Sequence, residues 1–224
     1  MNAVALLFDS VEIPGLHAEG LSLGIDAHAA TMMLGSESSG VDALGRYALA
    51  LLKPPSGRVL VYGEDISAMT RGAALAFRRR VGYLPADIGL LHNLSLRDNV
   101  ALPLQYGSGM SEREIAGRLR IMLAQVRLTD VAHRRPADVT EELRRRAAVA
   151  RAVAFDPDLV IMEDPFDGMT TRAAAELLEI VRGGETAEGS RRTVFITGQS
   201  VPQSLEPRIE AHYRIARGRL NARA

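Results

Sequence analysis

Residues 31–53 read TMMLGSESSGVDALGRYALALLK. A short apolar run (31–34) leads into a glycine-rich loop. A helix-like stretch (42–53) follows, with Leu44, Tyr47, Ala48, Leu51 and Leu52 at helical spacing. Gly35 and Gly40 stand at the separation of Gly-x-x-x-x-Gly-Lys-Ser/Thr, the loop that cradles phosphates between a strand and a helix. Val41 and Asp42 occupy its Lys and Ser/Thr places. The spacing therefore predicts strand, loop and helix in that order, and leaves a phosphate without its cation. Lys53 is the only lysine in the chain, too far along to slide into the role.

Outward from this stretch, PPSG (54–57) stops the helix and RVLVYG (58–63) reads as the next strand. From about Met69 to Asp156 the pattern is mostly helical. MSEREIAGRLRIMLAQVRL (110–128) sets Ile115, Leu119, Met122 and Leu123 on one face and its charges on another. DLVIMED (158–164) reads as a buried strand ending in carboxylates, AAAELLEIVR (173–182) as a helix and TVFIT (193–197) as a further buried strand. Alternation of this kind predicts an α/β architecture.

Composition sets the outer bounds. A 47% hydrophobic and 24% charged chain of 224 residues is that of an ordinary globular domain. Its formal net charge of +0 gives no basic field, so no nucleic-acid partner is expected. The absence of cysteine excludes disulfides and thiolate metal sites. MNAVALLFDSVEI lacks a basic start and a long apolar centre, so no signal peptide is expected. No apolar run approaches the ~20 residues of a membrane helix. The expected location is cytoplasmic, with any membrane contact made through a partner.

The ordered series of segments resembles the nucleotide-binding subunit of ABC transporters over nearly the whole chain. LLKPPSGRVLVYGEDI is similar to the stretch after that family's P-loop, and NLSLRDNVALPL (93–104) to the segment after its Q-loop. RRRAAVARAVAFDPDLVIMEDPFDGM (144–169) is similar to the signature helix running into Walker B and the D-loop. The short stretches AMTR, DNVALPL and EDPFDG are most like Mla-type lipid-transport ATPases. The resemblance implies a P-loop NTPase-like ABC ATPase fold with a mixed or parallel sheet core. It also implies one domain over 1–224, with a core lobe (1–85 and 158–224) and an inserted helical subdomain (about 86–157).

On that pattern the nucleotide-binding positions are Gly35, Ser36, Ser38, Ser39, Gly40, Val41 and Asp42. The family's Lys bridges β- and γ-phosphates and its Ser/Thr holds Mg2+; Val41 can do neither. Asp42 adds negative charge at a helix N-terminus whose amides should receive phosphate, and Glu37 lies in the same loop. Like charges ~4 Å apart repel by roughly 1–4 kcal/mol at surface-like dielectrics. Asp42 is also of the residue type that caps a helix start, and the helix is read as capped by its own side chain.

The signature positions fall on Val139, Thr140, Glu141, Glu142 and Leu143. The family's glycines are replaced by two carboxylates where an anion would dock. Asp138 or Thr140 followed by glutamates is equally a good helix start. Walker B ends in Glu163 and Asp164, both acidic but exchanged in length relative to the family's Asp-Glu. They are the candidate catalytic carboxylates of a weakened or inactive site. The Q-loop glutamine falls at Ala86, the switch histidine at Gly198, and a D-loop aspartate at Thr170. No aromatic lies between Phe8 and the glycine loop to stack on adenine, and His17 in that span reads as a surface-loop residue.

Two functions follow from the resemblance. One is a scaffold or regulatory subunit that has lost ATP turnover, needing neither ATP nor Mg2+. The other is an ATP-binding and hydrolysing subunit working with an intact partner ATPase, with ATP and Mg2+ retained. Either implies a membrane permease partner, a homodimer or heterodimer with another ABC ATPase, and a place peripheral to the inner or plasma membrane. No dedicated metal site is expected. The region from Tyr83 to Tyr106, with Leu90, Leu91, Leu94 and Leu96, is the candidate permease-docking surface.

Overall fold

The structure is a computed structural model that describes residues 3–13, 20–183 and 191–223, apart from the side chains of Glu37 and Arg223. His17 lies outside the described residues. The architecture is α/β, as expected from the alternation, with a mixed sheet, as the resemblance implies. Five strands run parallel in one six-stranded sheet: β3 (Ala30–Gly35), β6 (Val81–Leu84), β7 (Leu159–Glu163), β8 (Thr193–Gly198) and β9 (Ala211–Ala216). β10 (Arg219–Arg223) closes one edge antiparallel, giving the order β10-β9-β3-β8-β7-β6. A second sheet, antiparallel, has the order β2-β1-β4-β5, from β1 (Val4–Val11), β2 (Leu21–Asp26), β4 (Arg58–Val61) and β5 (Glu64–Asp65).

The central strands are buried on both faces, which is why they read as unbroken apolar runs. Side chains alternate across them. Met33 of β3, Ile161 of β7 and Phe195 of β8 face one core, with α1 (Val41–Ala48) and the antiparallel sheet. Met32, Val160, Met162, Val194 and Ile196 face the other core, against the helices. Phe8 and Phe195 join the two sheets with ring centroids 5.9 Å apart. Each fully buried side chain of this size contributes about 1.5–3 kcal/mol.

Between β6 and β7 the chain makes α3 (Leu96–Gly107), α4 (Glu112–Gln125) and α5 (Glu141–Ala152), with short 3-10 turns at Thr129–Val131 and Pro136–Asp138. α4 buries Ile115, Leu119, Met122 and Leu123 as its periodicity predicts. Its start is a capping box in which Ser111 and Glu114 satisfy each other's backbone amides. α2 (Arg71–Arg78) precedes β6, and α6 (Thr171–Arg182) connects β7 to β8.

Two expectations are corrected. The helix after the glycine loop ends at Ala48, not Lys53. Ala50 adopts a φ of 50°, the amides of Leu51 and Leu52 both turn back to the Arg46 carbonyl, and these two leucines are exposed. Their apparent helical spacing was a coincidence of composition. In addition, the mostly helical stretch from Met69 contains β6, a four-residue strand too short to impose a period.

Candidate nucleotide site

The parallel strands end together at one edge, where β3 delivers the glycine loop, β7 delivers Glu163 and Asp164, and β8 delivers Gly198. After Gly35 the loop forms a 3-10 turn (Glu37–Ser39), and Gly40 takes a φ of 75° before α1 begins. Glycine is suited to that left-handed conformation because it has no Cβ to clash. Ser39 is buried and turns inward. Its hydroxyl donates to the Ser36 carbonyl at 2.5 Å and lies where a Cβ on Gly35 would have to sit. The Ser36 and Ser38 hydroxyls are 3.1 Å apart. The loop's hydroxyls are thus spent on the loop itself.

Val41 is 3% exposed and packs into the core beneath the loop. Asp42 does not cap α1, contrary to expectation. Gly40 holds the cap position without a side-chain bond, and the Asp42 carboxylate, one residue inside the helix, pairs with Arg46 at 3.1 Å. The pair is exposed, and its four-residue spacing is the one that brings side chains together on a helix.

The signature segment is more deeply wired. Thr140 takes the N-cap position of α5, as expected, but makes no side-chain capping bond. Glu141 accepts from Arg144 at 2.5 and 2.9 Å and lies 3.3 Å from Arg145, while Glu142 pairs with Arg146 at 3.0 Å. Arg145 and Arg146 are each 4% exposed. Arg146 also reaches Glu176 on α6 at 2.9 Å, and Arg145 donates to the Asp164 carbonyl at 3.0 Å. The two carboxylates read as facing a docked anion are turned onto the arginines of their own helix. Val139 and Leu143 pack partly buried against the helical core.

Glu163 and Asp164 serve different neighbours. The Glu163 Oε1 is buried without a hydrogen-bond partner, and a Cβ on Gly45 of α1 would stand 2.5 Å from it. Burial pushes the Glu163 carboxyl above its ordinary range, against the opposing influence of the Tyr83 hydroxyl and the Ala86 amide. Burial, and then the neighbouring Glu163, push the Tyr83 phenol upward. Asp164 has a φ of 41°. Its amide donates to the Thr197 carbonyl at 2.8 Å, and its Oδ1 accepts from the Gln199 amide at 3.0 Å. A Cβ on Gly198 would collide with that Oδ1. With Asp164 in this pose, position 198 has no room for a side chain.

Ala86 and the signature acid Glu141 do meet, lining a cavity of about 240 Å3 with His92 and Arg144. Thr170 has become the N-cap of α6, accepting from the Ala173 amide at 3.3 Å. Of the four leucines in the candidate docking surface, Leu90 and Leu96 are buried, Leu94 is half-buried and Leu91 is exposed. Fully buried Asn99 holds the loop before α3, accepting from the Leu91 amide at 2.7 Å and donating to the Leu91 and Ser95 carbonyls.

Sequence reasoning missed Gly45, Arg145, Arg146 and Asn99. A signal existed for three of them. Glycine inside a helix costs about 1 kcal/mol relative to alanine and often marks close approach, and Arg145 and Arg146 stand four residues after Glu141 and Glu142.

The loop's described side chains offer no cation to the phosphates of ATP: the Ser39 hydroxyl is bonded to the Ser36 carbonyl, Val41 is buried, and the Asp42 carboxylate is paired with Arg46.

Comparison with known proteins adds an independent line. The sequence profile described as ABC transporter matches residues 18–167. The methionine import ATP-binding protein MetN 2 of Pseudomonas aeruginosa is 31% identical over 170 residues, covering 76% of this chain and 50% of its own length. MetN of Cupriavidus metallidurans is 34% identical over 162 residues, 71% of this chain and 47% of its own. The chain spans about half the length of the curated relatives it matches. Among solved structures, a post-hydrolysis dimer of the ATP-binding cassette MJ0796, bound to ADP and Pi, superposes with a TM-score of 0.83 at 20% identity. That match covers 98% of this chain and 99% of the other. CbiO1 of Clostridium perfringens, part of the transporter complex CbiONQ, gives 0.80 at 19% identity, over 98% and 88% of the two chains. At such identity the likeness is one of fold.

Proposed function

The chain belongs to the ABC transporter family, and from that premise we propose that it is a cassette subunit that assembles with a membrane permease without turning over ATP. The observation that carries this reading is Val41: the place of the phosphate-binding cation is an apolar side chain, 3% exposed, built into the core. Phosphoryl transfer rests almost wholly on positioning and charge neutralisation. Ala86, Gly198 and the Glu141–Glu142 pair each remove a further part of that machinery. The proposed division is a core lobe (1–85 and 158–224) carrying the glycine loop, and a helical subdomain (about 86–157) carrying the permease contact around Leu91. Among the described residues no helix is long and apolar enough to cross a membrane. The proposed place is therefore the cytoplasmic face of the membrane, through the permease.

The names of the relatives favour import of a small solute such as methionine over the lipid substrate that the short Mla-like stretches imply. A phosphate-release assay on the purified chain tests the central reading. No Mg-ATP-dependent turnover is expected, and turnover at ordinary enzymatic rates overturns it.

The second reading is a subunit that binds or hydrolyses ATP beside an intact partner cassette. Its support is the retained Gly35–Gly40 frame, the acidic Glu163–Asp164 pair and relatives named as ATP-binding proteins. ATPase activity that appears only in a co-purified pair, and that requires this chain, would favour it.

A further inference from the structure

At the other end of the parallel strands, away from the glycine loop, the C-terminal ends of α4, α5 and α6 enclose a cavity of about 650 Å3. That is within the range of small-molecule sites, which combine apolar walls with a few placed polar groups. Ile121 and Met122 of α4, Val126 just after it, Val153 after α5 and Ile180 of α6 form the apolar walls. Ile121 is 55% exposed, so this face is not closed over by the described residues.

The polar side of the cavity is unevenly matched. Arg192 is ion-paired with Asp156 and donates to the Val181 carbonyl at 3.1 Å, and Arg191 lies 3.3 Å from Glu179. Arg182, 4% exposed, uses its terminal nitrogens on Glu210 at 3.1 and 2.8 Å, while its buried Nε has no hydrogen-bond partner. Arg118 differs from all of these. Its Nε donates to the Ala154 carbonyl at 2.8 Å, which holds the guanidinium in place, and it makes no ion pair among the described residues. Opposing an anion here are the carboxylates of Asp156, Asp158 and Glu179, of which the first is paired with Arg192 and the last with Arg191, and the negative ends of the helix dipoles. Arg192 donates to a terminal carbonyl of α6, and Arg118 to the Ala154 carbonyl just beyond α5, which offsets the negative ends in part. The fork of terminal nitrogens on Arg118 has no hydrogen-bond partner among the described residues. Such a fork suits a singly or doubly charged oxyanion.

We propose that this cavity binds a small phosphate monoester with an apolar tail, the phosphate on Arg118 and the tail against Ile121, Met122 and Val126. The site is separate from the glycine loop and does not depend on whether ATP is turned over.

Titration of hexyl phosphate into the isotopically labelled chain, followed by amide chemical shifts, tests the proposal. Saturable shifts are expected in α4 and around Val153, undisturbed by excess Mg-ATP. Inorganic phosphate should bind roughly tenfold or more weakly, since it lacks the two or more buried methylenes that such a ratio requires. Arg118→Gln should weaken hexyl phosphate by about tenfold or more, the scale of one charge-assisted interaction. Ile121→Glu, at an exposed position that leaves folding intact, should do the same through like-charge repulsion. Sedimentation with phosphatidic acid vesicles but not phosphatidylcholine vesicles, lost in Arg118→Gln, would assign the ester to a lipid. Its absence alongside hexyl phosphate binding would assign it to a soluble compound. No saturable shift at these residues, equal binding of inorganic phosphate, or wild-type affinity in both variants overturns the proposal.

Discussion

Two helices of this protein, α1 and α5, follow the segments aligned with an ABC cassette's nucleotide-contacting motifs, and their starts hold their charges to different depths. α1 opens on a glycine, and its one acidic residue makes a single exposed pair, Asp42 with Arg46. α5 opens on two glutamates held by Arg144, Arg145 and Arg146, and the last two of these arginines are buried and reach the Asp164 carbonyl just after β7 and Glu176 of α6. The contrast separates a helix start whose charge is loosely held from one whose charges are built into the framework. Exposed pairs contribute little to stability. Buried charges matter because a lost partner leaves the other charge uncompensated. A few substitutions should reopen the first helix start, whereas the second should not yield without loss of the fold.

The comparison is broken or sharpened in order of effect. Arg146→Ala, which removes the link from Glu142 to Glu176, should cost about 2–3 kcal/mol in urea unfolding. That lies at or below the roughly 3–5 kcal/mol of a disrupted buried pair because the glutamates reach solvent. A loss no larger than at an exposed site would make α5 as loosely built as α1. Gly198→Ala should cost about 1–3 kcal/mol by overpacking against Asp164. Most of that cost should vanish in an Asp164→Ala background, read as a coupling energy in a double-mutant cycle. Additive effects would separate the two positions.

At α1, Val41→Lys with Asp42→Thr should tighten ATP binding by about tenfold or more, equivalent to about 1.4 kcal/mol, measured by calorimetry. Val41→Lys alone should not restore tight binding while Asp42 remains. Full recovery from the single change would remove the role given to the aspartate. Asp42→Ala should alter stability by no more than about 0.5 kcal/mol, measurable as a small displacement of the urea midpoint.

Glu163 gives the pH dependence its sign. Its carboxyl is raised in the folded state by burial, so the folded chain holds a proton that the unfolded chain has released. Its contribution therefore falls as pH rises above the ordinary carboxylate range and through the raised folded value. Glu163→Gln should gain stability relative to the parent as pH increases over that window. A gain that is flat with pH would show that Glu163 is ionised in both states.

Much of this was legible in the sequence because apolar patterning is redundant. β3, β7 and β8 are buried on both faces, and their runs of Met, Leu, Val and Ile announce this whatever the chemistry at their ends. Short elements carried less: β6 has only four residues, and the end of α1 depends on the left-handed turn at Ala50 rather than on composition. At the candidate site the identities at each motif position could be read, but not their partners. Asp42 looked like a cap and is an ion pair. Glu141 and Glu142 looked like bare charge and are neutralised by neighbours three and four residues on. The fit of Asp164 against Gly198 joins the residue just after β7 to the last residue of β8, and no spacing in the chain reveals it.

The central claim is that the glycine loop is closed to triphosphate by its own side chains, through Ser39, Val41 and Asp42. Isothermal titration of the purified wild-type chain with Mg-ATP tests it most directly. The account predicts no saturable heat at micromolar nucleotide; a micromolar Kd with one site per chain would contradict it.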